Sequence, residues 1–172
     1  MKILTLFILM TLYSCGIYKT EMVNGKIEGL EYQNIYIEHN NYSGVIFSKE
    51  YDPFGIQGIG NKFTPTMADI DSAEYILRHE IKEINKNRPN QGRDCPVIHK
   101  NLSKYKRQYF GRTENGEKII YINCFWTNNY SKVQTYWKTE EVNVLDGCSF
   151  FWSIKVNLTR KFLFEFGVNG SA

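Results

Sequence analysis

Chemistry in this 172-residue chain would have to begin with three histidines, four cysteines and a few clustered acids. His79-Glu80 opens like the zinc-binding His-Glu-x-x-His, but position 83 is glutamate, so the second imidazole is missing. His79 therefore reads as a solvated side chain. His39 falls in an expected turn and offers no partner. Cys95 and His99 stand four residues apart near Pro96, the one spacing that could pair a thiol nucleophile with its base. Adjacent acids at Glu140-Glu141 point opposite ways on an extended chain, which suits shared proton transfer poorly. Asp69 and Asp71 are better explained by capping a helix and by its N-terminal dipole. The run Gly55-Ile56-Gln57-Gly58-Ile59-Gly60 lacks the lysine of a phosphate loop, and no serine sits in Gly-x-Ser-x-Gly. The cysteine spacing fits no zinc pattern. The residues call for no metal and no cofactor, and they assemble no catalytic constellation.

Cys15 is different, because its context is the chain's opening, "MKILTLFILMTLYSC". Lys2 supplies a positive start, and Ile3 to Leu12 form an apolar run too short to span a bilayer, which needs about 20 residues. That run fits the h-region of a signal peptide. The residues before Cys15 resemble the lipobox of bacterial lipoproteins, which implies cleavage after Ser14 and acylation of the Cys15 thiol. An ordinary secretory signal with an incidental cysteine is the alternative. The expected organisation is a signal peptide over 1–14, a lipidated tether over 15–30, and one domain over 31–172. The expected address is the bacterial cell envelope, at the outer membrane, held by palmitate-type chains alone.

The formal net charge of +3 is small, and basic residues occur singly among acidic ones. Neither a nucleic-acid stripe nor a polybasic membrane patch is expected from that pattern. Three cysteines remain besides Cys15, an odd number for an oxidising compartment. Cys95, Cys124 and Cys148 leave the pairing open, with Cys124 a candidate member of one disulfide.

The elements follow from periodicity. "QNIYIEHNNYSGVIFS" (33–48) reads as a β-hairpin, and 51–65 as an irregular connection with Phe54, Ile56 and Ile59 tucked beneath it. Thr66 and Asp69 form a capping-box signature, and Ile70, Ala73, Leu77, Ile81 and Ile84 recur at helical spacing. Asp71, Glu74, Arg78, Lys82 and Glu83 occupy the wet face of that wheel. A short second helix is expected over 97–104. Asn115-Gly116 is the favoured hairpin dipeptide between two strands, and the second has apolar residues on both faces, as a central strand does. Phe150, Trp152, Ile154 and Val156 alternate, and Phe162, Phe164, Phe166 and Val168 repeat the alternation after a turn at 158–160. The class is α+β: one main amphipathic helix packed on an antiparallel sheet of at least four strands, plus an N-terminal β-hairpin.

A helix followed by a four-stranded meander resembles the cystatin-like and nuclear-transport-factor-like folds. "YKRQYFGRTENGEKIIYINCFW" and "VLDGCSFFWSIKVNLTRKFLFEFGVNG" also resemble a family of uncharacterised bacterial lipoproteins, over roughly residues 63–172. That family tends to carry an Asp-Gly-Gly turn and a terminal Val-Asn-Gly. Here Cys148 replaces the second turn glycine. The resemblance implies a fold and an address and carries no activity.

Aromatic residues make up 15% of the chain. Trp126, Tyr130, Tyr136 and Trp137 gather in or beside the polar interruption at 127–141, where they either stack on a ligand or cap the sheet. These four are the candidate binding residues. The leading expectation is a lipid-anchored, non-enzymatic envelope protein that binds an unidentified protein or glycan partner. An inhibitor of an envelope hydrolase, of cystatin-like type, is a second class. A small hydrolase using Cys95 and His99 is a third.

Overall fold

The computed structural model describes residues 18–53, 60–92, 94–127 and 133–170. Cys15, Tyr130, Phe54, Ile56 and Ile59 lie outside the described residues. The class is α+β: one long helix lies against a mixed sheet of eight strands.

The strands are β1 (Lys19–Ile27), β2 (Leu30–His39), β3 (Tyr42–Ile46), β4 (Asn61–Phe63), β5 (Lys106–Glu114), β6 (Glu117–Phe125), β7 (Phe151–Asn157) and β8 (Phe162–Val168). Their order is β1-β2-β3-β5-β6-β7-β8, and β4 pairs with the far half of β5. The expected hairpin is β2–β3. The sheet is not wholly antiparallel, because β3 runs parallel to β5, with Ser43 opposite Lys106. Residues 19–27, expected as tether, are instead an edge strand paired with β2 along its whole length. The domain therefore starts at least twelve residues earlier than position 31.

Register aligns one end of the sheet across seven strands. Lys19 faces Glu38, Ser43 faces Lys106, Lys106 faces Phe125, Phe125 faces Phe151, and Trp152 faces Val168. The chain thus enters the sheet at the same end where β5 begins and β6 and β8 finish.

The helix α1 (Met67–Ile84) starts where the sequence indicates. The Thr66 hydroxyl accepts from Asp69 N at 3.2 Å, and the Asp69 carboxylate accepts from Thr66 N at 3.0 Å. Its apolar stripe packs on Ile120, Ile122, Cys124, Trp152, Ile154 and Val156, and Ile70, Ala73 and Leu77 are fully buried. The β5–β6 turn uses Asn115 at φ 50° and Gly116 at φ 80°, the left-handed pair that matches strand twist. Residues 98–104 form two short 3₁₀ turns in place of the expected helix.

The alternation expected in β8 holds only in part. Leu163 is buried on the helix side, yet Phe166 and Val168 share that side. An irregularity in the β7–β8 register, with Glu165 at φ 47°, shifts the phase by one residue. Phe162 and Phe164 consequently lie against each other on the opposite face, tilted by 47° with ring centroids 5.5 Å apart.

Candidate functional site

The second face of the sheet is covered by an irregular segment that includes the short helix α2 (Val133–Tyr136). Backbone groups without secondary structure must find partners elsewhere when buried. Here the strands supply buried amides. Gln108 Nε2 donates to the carbonyls of Trp137 (2.7 Å) and Glu140 (2.6 Å), and its Oε1 accepts from Val142 N at 2.9 Å. Asn123 Nδ2 donates to Val142 O at 2.7 Å, and Asn34 Nδ2 to Lys138 O at 3.1 Å. The Tyr51 hydroxyl accepts from Glu141 N at 2.8 Å. The backbone at Glu140-Glu141 is therefore engaged in holding the segment down.

This anchoring fixes the aromatic candidates. Trp137 is only 7% exposed, between Phe125 and Tyr36 at ring distances of 5.8 and 5.9 Å. Tyr136 is half-buried against the same cluster. Trp126 is half-buried between Tyr105 (5.6 Å) and Phe150 (4.9 Å), with Lys104 Nζ 5.4 Å from its ring. Of these three, only Tyr136 and Trp126 retain surface. Capping of the sheet accounts for Trp137.

Cys95 is bonded to Cys148, so its sulfur is no thiol and the Cys95/His99 nucleophile does not form. The His99 ring nitrogen instead meets Asn85 Nδ2 at 3.0 Å. Burial lowers the His99 pKa, helped by the cations of Arg88, Lys100 and Lys82. Cys124 is free and buried in the core, and burial pushes its thiol far above the ordinary range. The turn before β7 keeps the left-handed backbone at both positions, Gly147 at φ 93° and Cys148 at φ 46°. It also meets the Val168-Asn169-Gly170 end of the chain. Cys148 N donates to Gly170 O at 2.8 Å, and Asn169 Nδ2 donates to the carbonyls of Val144 and Asp146. The Asp146-Gly147-Cys148 turn and the Val168-Asn169-Gly170 segment are thus partners in space.

A groove of about 590 Å³ runs between the exposed side of α1 and the β7–β8 turn. Ile76 and Leu158 supply apolar lining. Tyr75, 61% exposed, lies against His79 with ring centroids 4.0 Å apart and the planes tilted by 32°, and His79 Nδ1 meets Tyr75 O at 2.7 Å. Glu80 and Lys161 bring opposite charges to the lining. At one end Asp69 Oδ1 holds Lys118 Nζ at 3.1 Å. Burial would raise the Asp69 carboxyl, but hydrogen bonds from Thr66 and the Lys118 ammonium outweigh it and hold the pKa below its ordinary value. Sequence reading treats these helix residues as the wet face and does not foresee a groove. Its other wall lies some eighty residues away in sequence.

Beneath α1 lies a buried ion pair that the sequence also conceals. Glu74, expected on the wet face, is fully buried, and Arg107 is 1% exposed. Arg107 Nε lies 2.7 Å from Glu74 Oε1, a charge contact, not an aligned hydrogen bond. The Tyr109 hydroxyl donates to the same oxygen at 2.9 Å. The guanidinium also donates to the carbonyls of Tyr105 (2.9 Å) and Leu102 (3.1 Å). Burial works against the Arg107 cation, but Glu74 and Tyr109 more than restore it, and its pKa is raised. Tyr42, stacked near Arg107, has its hydroxyl pushed up to about 12 by burial. Glu74 Oε2 has no hydrogen-bond partner among the described residues.

Among the described residues, no cluster of three or more His, Cys, Asp or Glu side chains could hold a metal ion. Compared with protein-family models, curated proteins and solved structures, the chain matches none.

Proposed function

We propose that this chain is a lipid-anchored bacterial envelope protein, held at the outer membrane through Cys15, whose domain binds a partner and catalyses nothing. The Cys95–Cys148 disulfide supports an oxidising compartment, as the envelope is. The lipobox-like approach to Cys15 supports the anchor. The β5–β8 meander with α1 across it supports the cystatin-like reading of the fold.

The observation that carries the binding reading is the Tyr75–His79 platform above the α1 groove. An exposed ring pair over apolar lining, with a carboxylate and an ammonium nearby, suits a ligand with both a stacking face and polar edges. Envelope glycan fragments and short peptides have that character. The test is a titration of the full chain with a panel of such saccharides and peptides, read by amide chemical shifts. A true ligand shifts groove residues and loses at least about tenfold in affinity in Tyr75→Ala, about 1.4 kcal/mol. Tyr136→Ala leaves it unchanged. Shifts clustered around Tyr136 and Trp126, with Tyr75→Ala silent, would move the site to the aromatic end of the sheet.

A further inference from the structure

We propose that the end of the sheet where β1 begins is a docking face for an anionic lipid bilayer. This rests on the reading of Cys15 as the anchor.

Cys15 precedes Lys19 by four residues. An extended chain reaches about 3.5 Å per residue, so a lipidated Cys15 lies within about 15 Å of the start of β1. With β1 paired from Lys19 onward, little slack remains between anchor and domain. This end of the sheet is therefore held at the membrane surface, within roughly one or two Debye lengths of its headgroups.

The chemistry gathered there fits such a surface. From Lys82 to Lys106 the sequence has seven basic residues and two acidic ones. Spaced singly along the chain, they converge in the fold. The C-terminus of α1 reaches this end, where Asn90 Nδ2 donates to Val168 O (3.3 Å) and Asn169 O (2.8 Å). Asn85 Nδ2 meets the His99 ring at 3.0 Å and Asn85 O accepts from Arg88 N at 3.2 Å, which brings the segment carrying Lys82 and Arg88 beside the turn carrying Lys100. Lys104 follows in the next turn, against the Trp126 ring at 5.4 Å. All four cations are exposed, and none has a carboxylate partner among the described residues. The acids nearby are Asp94, Asp146, Glu83 and Glu38, of which Glu83 is engaged by Lys86 and Glu38 by Lys19, so exposed cations still outnumber the free carboxylates four to two.

An apolar element accompanies the charge. Leu145 is 93% exposed, on a turn held to the end of β8 through Asn169. The Cys95–Cys148 bond ties that turn to the basic segment, so cations and leucine are presented as one unit. Cationic side chains beside a half-buried tryptophan and a protruding leucine match a headgroup layer over hydrocarbon. The cations would pair with lipid phosphates, and Leu145 would enter the acyl boundary.

The test uses the full chain carrying Cys15→Ser, which has no acyl group, and sedimentation with vesicles. One set is pure phosphatidylcholine and the other contains added phosphatidylglycerol. Lys2 and the apolar run at 3–12 are common to every variant, so the change between parent and variant on the anionic vesicles reports the charged face. Each cation near an anionic surface strengthens binding about fivefold. Replacing Arg88, Lys100 and Lys104 together by glutamine should then weaken binding to the anionic vesicles by about a hundredfold. Lys26→Gln with Lys49→Gln, away from this end, should leave it unchanged. Leu145→Ser should weaken binding with an unaltered circular dichroism spectrum. Equal binding to both vesicle sets, or a triple variant that binds as the parent does, overturns the proposal. So does retention on a soluble polyanion with no vesicle binding. Whether Cys15 is acylated is read separately by mass, so a failed anchor and a failed docking face are distinguishable.

Discussion

Removing Arg107 tests whether the buried pair under α1 is structural. In Arg107→Met, Glu74 stays fully buried with the Tyr109 hydroxyl as its sole partner among the described residues. An uncompensated buried charge costs about 3–5 kcal/mol. Glu74→Leu should cost less by about 1–2 kcal/mol, because the guanidinium keeps its two backbone carbonyls and the face of Tyr42 at 5.6 Å. Replacing both together should bring stability back to within about 2 kcal/mol of the parent, since well-packed apolar pairs often match a buried ion pair. Urea unfolding followed by tryptophan fluorescence reads all three. With a slope of about 2 kcal/mol/M, Arg107→Met should lower the midpoint by roughly 2 M. A domain of ordinary stability, about 5–15 kcal/mol, survives that loss only narrowly. A cost below about 1 kcal/mol for Arg107→Met, or a double variant that loses the sum of the two singles, would refute the reasoning.

Two further outcomes are expected. Cys148→Ala opens a loop of 53 residues and should cost about 4 kcal/mol, measured by the same urea titration, while added reductant should no longer affect the variant. The Asp69 carboxyl has its pKa lowered by folding, so its contribution is present above its unfolded value near 3.8 and lost as pH falls through the lower folded value. Thermal melts should therefore show Asp69→Asn destabilised at neutral pH, with the difference from the parent closing below about pH 4.

Local signals were legible, and long-range pairings were not. Thr66 and Asp69 mark the helix start within three residues, and Asn115-Gly116 marks a turn whose backbone only such residues adopt easily. The two apolar faces of β6 reveal a central strand because both must be covered. By contrast, β1 is almost wholly exposed, so "KTEMVNGKI" has no buried face to impose alternation, and backbone pairing with β2 makes it a strand. Glu74 looks solvated because its partner, Arg107, stands 33 positions away. The amides of Gln108, Asn123 and Asn34 read as polar interruptions, yet they hold an irregular segment that buries Trp137. The groove joins α1 to a turn beyond residue 157, and no local pattern encodes that meeting. The cationic end is hidden for the same reason, since its members are singly spaced in sequence.

Cys15 decides whether this chain is a lipid-anchored envelope protein. Intact-mass analysis of the protein purified from bacterial membranes reads it directly. Anchoring through Cys15 requires a mature chain beginning there, without residues 1–14 and heavier by its acyl groups, and a Cys15→Ser chain that leaves the membrane fraction or stays unprocessed. A membrane-associated chain that begins at Met1, or one that carries an unmodified Cys15, would contradict it.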